Sequence, residues 1–592
     1  MEGTSAGHAS KSMKPQETNT ARAPSPWRAR APVLAIAAVA LAVRAWGVWF
    51  GLPYLYNPDE HLTVNTALSF GSGDLNPHQF QHGSLPIYVL FICYAFYYVV
   101  GHVLGVFKSP QAFAVSFAND PTAWYLIARC LSVAYGVGAV FFLYKTGRLL
   151  AGRAGGIAAA ALLAVSPLHI SRSQVALPDS PAMLLTAASL YLMVVAVRGG
   201  LPRHLLLAGA LGGLGMAAKF TAVMLSVPLV AAAMMAPLQG TPGRRRAAVI
   251  VLTIGAMAAA YLCGSPYSLL DYRAFARDIL VFEHLRNVVV GWSASVVAQQ
   301  VLHDLLHAAL GAVGAVLAVV GLVLAARRRE RPQVVLAAFA VICLAVLLIQ
   351  GRYQSNWFLP LMIPLCAFAG QAFAWLSREH RAAAPALLTL ALAQPFAVSV
   401  IADRELTKPD TRTLAKEWMD RNLPPEAVVV LDGGESGGFP QLRESKRSLE
   451  ARKQAAIGQQ RGRYKHLAAY YDLKIQALRL YRGRVFDTMR LKHAWWSPAE
   501  GTTVAGAPDT PGFRRGLYDL DYYTRRGAQY LATSSLVLDR YYSPQGRRHY
   551  ASAYRFYQRV ATEGRLVAHF GPGKRATGPQ VFVYRLPPAP PQ

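Results

Sequence analysis

The chain has 592 residues, of which 53% are hydrophobic and 15% charged, and its formal net charge is +29. Soluble domains carry about 25% charged residues, so the composition excludes an ordinary soluble enzyme. Repeated apolar runs reach the roughly 17–25 residues that cross hydrocarbon and indicate a polytopic membrane protein. The basic excess is what Lys and Arg flanking membrane spans produce, and it requires no nucleic-acid partner.

Residues 1–30 are polar and rich in Ser, Thr, Pro and Lys, with no cleavable signal evident; they are expected to form a disordered cytoplasmic tail. Basic connections recur at 144–153, 198–204, 241–246, 325–333 and 377–381, and the positive-inside bias places them in the cytoplasm. Eleven crossings follow, near 31–52, 123–144, 154–170, 181–198, 204–218, 220–237, 247–263, 302–326, 334–350, 357–376 and 384–402. The apolar stretch 85–107 breaks this parity. It is read as an aromatic-rich helix lying in the outer leaflet; if it crosses with an unrecognised partner, the count becomes thirteen.

The first outer loop, 53–84, carries Asp59, Glu60 and His61 directly after the first span, then His78 and His82. Arg44 and Arg129 sit inside spans near their outward ends, where an Arg ordinarily snorkels to the interface. Asp179 precedes Ser180 and Pro181 and suits a helix N-cap. Lys219 interrupts an apolar run with almost no loop, and Arg352 ends the ninth crossing. The five cysteines all lie in apolar segments before residue 402, which suggests neither a disulfide framework nor a CxxC metal site.

After residue 402 the pattern changes to that of a mixed α/β domain, 403–592, with 32 Lys/Arg against 18 Asp/Glu. The stretch "PDTRTLAKEWMDRNLPPEAVVVLDGG" reads as a helix, a Pro-rich turn and then a strand, with Pro409 in the helix's first turn and Leu414 and Trp418 on one face. Further strands are expected at "AQYLATSS", "RLVAHFG" and "QVFVYRL", and a helix at "ASAYRFYQRVA". The Gly-rich "LDGGESGG" follows a strand but lacks the spacing of a dinucleotide fingerprint and reads as a loop.

Positive-inside bias should strip cations from the outer side, yet they recur there beside carboxylates. Cations that hold a lipid-linked phosphate, with a carboxylate acting on a hydroxyl, account for both signs.

These residues resemble the GT-C membrane glycosyltransferases, in particular bacterial relatives of the dolichyl-phosphate-mannose–protein mannosyltransferases and of the lipid A aminoarabinose transferases. The stretches that carry the resemblance are "NPDEHLTVNTALSFGSGDLNPHQFQHGSLPIY", "RCLSVAYGVGAVFFLYKTGRLLAG", "SPLHISRSQVALPDSPAMLLTAASLYL", "AGALGGLGMAAKFTAVMLSVPL" and "GRYQSNWFLPLMIPLCAFAG". It spans most of 31–402 and thins beyond, particularly over 440–525. It implies a GT-C-like catalytic module over 31–402 in a plasma membrane, with the C-terminal α/β domain extracytoplasmic. It also implies inverting transfer of a sugar from a polyprenyl-phosphate donor to a hydroxyl of a glycan, lipid or protein acceptor. By position, Asp59 resembles the catalytic acid of the first loop, Glu60 an alternate base or its neighbour, and Asp179 the second acidic position. Lys219 and Arg352, and less closely Arg172, match the donor-phosphate positions. His61 and His82 fall near the acceptor, where "HGSLPIY" replaces the Pro-Pro-rich element of relatives. No obligatory metal is expected, although Asp59, Glu60 and His82 offer oxygen and nitrogen ligands for a divalent cation. The rival readings are a transporter or lipid flippase with a charged cavity, which should show inverted repeats that this chain lacks, and an inactive scaffold indifferent to Asp59→Asn.

Overall fold

The computed structural model describes residues 26–237, 243–281, 293–350, 353–433, 437–457, 465–491 and 518–590. Most of the expected cytoplasmic tail lies outside them, and its C-terminal edge is helical, since α1 (Pro26–Trp46) begins before residue 31. The other bundle helices are α2 (Glu60–Ser69), α3 (Ser84–Val103), α4 (Pro110–Asn119), α5 (Thr122–Val165), α6 (Pro167–Ser173), α7 (Asp179–Val197), α8 (Pro202–Ala218), α9 (Ser226–Met235), α10 (Gly243–Gly264), α11 (Gly311–Arg328), α12 (Arg331–Ile349), α13 (Leu359–Glu379) and α14 (Ala384–Leu406). Among the described residues, eight helices are long and apolar enough to cross a bilayer, so the chain is a multi-pass membrane protein.

One of the eight, α5, is two legs joined where Ala151 and Gly152 leave helical geometry; Gly152 has φ +76°, a conformation that costs an L side chain strain. The break falls in the basic connection 144–153. The expected span 154–170 ends sooner, because Ser166 is extended and α6 starts a new axis. The expected span 302–326 starts later, because Gly311 at φ +73° separates an irregular turn from α11.

Small residues set the packing. A Cβ on Gly213 of α8 would stand 2.0 Å from the Met257 carbonyl oxygen of α10, and one on Gly321 of α11 would stand 1.9 Å from that of Phe368 in α13. Backbones that approach this closely gain dispersion contact where lipid supplies no hydrophobic drive between helices.

Helix α3 bridges two helix ends. Gly83, just before it, meets the Ala218 backbone at the end of α8, while the Tyr94 hydroxyl donates to the Trp124 carbonyl at the start of α5 (3.0 Å). Phe107 and Phe113 close on Trp124 from beyond its C-terminus. Its other face leaves Ile92, Phe96 and Val103 bare, at 66%, 70% and 79% exposure.

The C-terminal region holds α15 (Thr411–Asn422), β1 (Val428–Leu431), α16 (Lys446–Ile457), α17 (Leu467–Ala477), β2 (Asp487–Arg490), β3 (Tyr530–Ser534), α18 (Ala551–Glu563), β4 (Arg565–Phe570) and β5 (Val581–Arg585). The sheet order is β2-β1-β3-β5-β4; β1 is parallel to β2 and β3, whereas β5 is antiparallel to β3 and β4. Val430 and Leu531 pack with Phe556 and Val560 of α18, while Val429, Leu431 and Ala532 pack with Met419 of α15. Alternate residues thus face helices on both sides, as buried parallel strands require. Pro409 precedes α15 rather than entering it: Asp410 is the N-cap, its side chain accepting from the Arg412 amide (2.8 Å).

Candidate active site

The first loop is fastened from two sides. Glu60 opens α2 and is fully buried. Its carboxylate takes Nε and Nη2 of Arg129 at 2.8 and 2.7 Å and the Ala176 amide at 2.8 Å. Arg129 Nη1 donates to the Val48 and Phe50 carbonyls, both at 2.7 Å. Arg129 therefore does not snorkel: it is the counter-ion of Glu60, and the pair joins the exit of the first span, the start of α2, the α5 leg and the turn before α7. With four of the five Arg129 N–H groups donating and both Glu60 oxygens accepting, the buried pair offsets much of the desolvation penalty that an unpartnered charge incurs. Arg44 does not snorkel either. It is buried, donating to the Ala40, Leu163 and Ala164 carbonyls (2.9, 3.1 and 2.9 Å), and it lies 2.6 Å from His169 Nδ1. A cation at the carbonyl end of the second α5 leg also meets the negative end of the helix dipole.

The other fastening comes from the C-terminal region. Gln441 exchanges two hydrogen bonds with the Leu55 backbone, at 3.2 and 2.6 Å. The Arg412 guanidinium stacks 3.9 Å from the Tyr56 ring centroid, held by Asp410 at 2.7 Å, and donates to the Gly437 carbonyl. Gly437 abuts the Tyr56 carbonyl and Pro58, so the end of "LDGGESGG" lies against the residues leading into Asp59. The centre of that Gly-rich stretch, 434–436, is outside the described residues.

Between these fastenings Asp59 is exposed, and its side chain makes no hydrogen bond among the described residues; its amide donates to Asn57 Oδ1 (3.0 Å). A carboxylate left accessible beside a rigid neighbour is what a general base needs. Asp179 is nearly buried at the first position of α7. Pro178 occupies the N-cap, so Asp179 does not cap the helix and instead accepts from Lys219 Nζ at 2.6 Å. Lys219 sits where α8 breaks: its backbone is extended (φ −151°, ψ 119°) before a 3-10 turn, which explains a cation between two apolar runs with no loop.

His82 ties these groups together. Asp59, Asp179, His61 and Lys219 all lie within electrostatic reach of its imidazole, and its Nδ1 is 3.4 Å from Thr63 Oγ1. Burial pushes the imidazole down to about 4 against the pull of Asp59 and Asp179, so it is neutral at pH 7.

Beside Asp179 and Lys219 a cleft of about 580 Å³, open to solvent, is lined also by Gln350, Asn356 and Trp357 and backed by Phe339. Arg352 is outside the described residues, but Gln350 and Asn356 on its two sides face this cleft. The described side of that loop is anchored by the Tyr353 hydroxyl donating to the buried Asp304 at 2.5 Å. Arg172 is half-buried in α6.

The ligands that Asp59, Glu60 and His82 offer a divalent cation do not come together as a set, because the Glu60 carboxylate is held by Arg129 and Ala176. Among the described residues, one metal-type cluster occurs elsewhere, at Asp74, His78 and His466. The sequence reading missed the Arg129 partnership and the Asp304–Tyr353 anchor. The one signal for the former was an arginine inside a span.

The fold is GT-C-like. Residues 121–266 match the family model described as dolichyl-phosphate-mannose-protein mannosyltransferase. No curated protein matches the chain in sequence. Among solved structures it is similar to the Archaeoglobus fulgidus oligosaccharyltransferase tethered to an acceptor peptide (TM-score 0.50, 12% identity, covering 93% of this chain and 73% of that one). It is also similar to ArnT from Cupriavidus metallidurans (TM-score 0.47, 13% identity, covering 94% and 98%).

Proposed function

We propose that the chain transfers a sugar from a polyprenyl-phosphate donor to an acceptor hydroxyl at the outer membrane face, with inversion. The reading rests on one observation above the rest: the Lys219–Asp179 pair, 2.6 Å apart, lines a partly apolar cleft, and both lie with the accessible Asp59 within electrostatic reach of His82. The bond between the anomeric carbon and the phosphate oxygen breaks, the acceptor oxygen bonds to that carbon from the opposite face, and its proton passes to Asp59. Lys219 turns from Asp179 toward the phosphate and, with Arg352 and Arg172, stabilises the charge that leaves on it. Asp179 keeps Lys219 poised and relieves its burial between turnovers. Glu60 holds α2, and with it Asp59, in place, while His61 and His82 line the acceptor side. The apolar wall of the cleft suits a prenyl chain.

In this reading the N-terminus is cytoplasmic, 31–402 is the catalytic module, and the region from 403 lies outside the membrane over the first loop. Helix α3 lies across the outer rim with its bare apolar face in lipid, which is favoured by its two ends meeting the outward ends of α8 and α5.

Reconstituted protein given radiolabelled polyprenyl-phosphate sugars and an acceptor glycan or lipid extract should release polyprenyl phosphate. Asp59→Asn should abolish release without unfolding the chain. Unchanged turnover in Asp59→Asn removes the base, and movement of intact donor across the bilayer without cleavage would replace the enzyme by a flippase.

A further inference from the structure

We propose that Asp74, His78 and His466 form a divalent-metal site of zinc type that clamps the first loop to the C-terminal region. Asp74 Oδ2 lies 2.8 Å from His78 Nε2 and 3.5 Å from His466 Nε2, and one ligand atom from each residue lies within 4.8 Å of the other two. Ligands about 2.1 Å from a tetrahedral zinc stand roughly 3.3 Å apart, so the two distances to Asp74 bracket the spacing a bound ion imposes. His466 Nε2 is shielded from solvent and makes no hydrogen bond. A buried polar nitrogen without a hydrogen bond is expensive unless something fills the gap.

The local chain is built to present these ligands. The Asn76 amide donates to Asp74 Oδ1 (3.1 Å), and the His78 amide donates to Asn76 Oδ1 (2.9 Å). His78 is held at φ +53°, an uncommon conformation for a residue with a Cβ. Its other ring nitrogen, Nδ1, faces Asp271 Oδ2 at 4.0 Å, and Asp271 is in turn held by Asn76 Nδ2 at 2.9 Å. The negative charge of Asp271 at that distance favours a cation on the far side of the ring.

Lys465 competes for the site, with Nζ 2.5 Å from Asp74 Oδ2. Its side chain is 48% exposed and long enough to swing aside, so it neutralises Asp74 when no ion is bound and yields when one is. Three protein ligands leave a fourth position for water. The clamp spans nearly 400 residues of sequence, joining the loop between α2 and α3 to the start of α17. It does not depend on the reaction proposed above, and its test reads metal rather than sugar transfer.

The untagged full chain in lipid nanodiscs, stripped with chelator and equilibrated with micromolar zinc, should retain one zinc per chain by elemental analysis, with a concentration-dependent rise in melting temperature. The double variant H78A/H466A should bind at least tenfold more weakly and show no zinc-dependent rise, while melting in chelator as the native chain does. Lys465→Ala keeps all three ligands and should bind zinc severalfold more tightly. Absence of stoichiometric zinc in the native chain, native affinity in the double variant, or unchanged affinity in Lys465→Ala would each overturn the proposal.

Discussion

Glu60 and Asp59 are adjacent in sequence, and the structure gives them opposite fates that mutation can separate. Glu60→Ala leaves Arg129 buried at 1% side-chain exposure with no counter-ion, and strands the Ala176 amide. Breaking a buried pair by removing one partner costs about 3–5 kcal/mol. At ~2 °C per kcal/mol for a large chain, the melting midpoint should fall by at least about 5 °C. Glu60→Gln keeps an acceptor for Ala176 and for one Arg129 N–H, so its stability loss should be the smaller, about 1–3 kcal/mol. Asp59→Asn exposes nothing and breaks no side-chain hydrogen bond among the described residues, so its midpoint should move by less than about 1 °C. Thermal unfolding in nanodiscs, read by scattering and tryptophan fluorescence beside turnover of labelled donor, separates the cases. Glu60 variants should lose activity in proportion to their loss of folded protein, whereas Asp59→Asn should lose it while folded. If Glu60→Gln melts like the native chain and yet is dead, Glu60 acts on the substrate and its assignment as an anchor is wrong.

Lys219→Ala should raise the donor KM roughly 10–100-fold, the equivalent of about 1.5–3 kcal/mol for a hydrogen bond to a charged group, with Lys219→Arg retaining most of the affinity; the measurement is turnover against donor concentration. Tyr353→Phe removes the donor to buried Asp304, so it should cost about 1–2 kcal/mol and raise the donor KM by loosening the loop that carries Arg352. His82 takes up its proton near pH 4 in the folded chain but near 6.5 when unfolded, so the unfolded state binds more protons between those values. Stability should therefore fall as pH drops from 6.5 to 4, and His82→Asn should flatten that part of the melting profile.

Much of the fold was legible because hydrophobic length and basic loops are local signals. The expected strands at β1, β3, β4 and β5 and the two helices flanking them are present, since their apolar alternation or helical spacing survives in short windows. The strand "DTMR" was missed because three of its four residues are polar and only pairing with β1 makes it a strand. Within the site, the residue types were readable but their partners were not. Glu60 and Arg129 stand 69 residues apart, and no periodicity links them. Nothing in "PDEH" says which carboxylate turns inward. That decision comes from the Ala176 amide and from the Val48 and Phe50 carbonyls, which are contributed by other turns of the bundle.

The hold of Gln441 and Arg412 on Leu55 and Tyr56 also has a bearing on biosynthesis. Residues 54–59 leave the ribosome more than 350 positions ahead of the side chains that secure them. All eight of the described helices long enough to cross a bilayer are made before the first loop acquires its cover. A nascent chain halted after α14 would hold Asp59 by the Glu60–Arg129 pair alone, so the last third of the polypeptide governs when the machinery near its beginning matures.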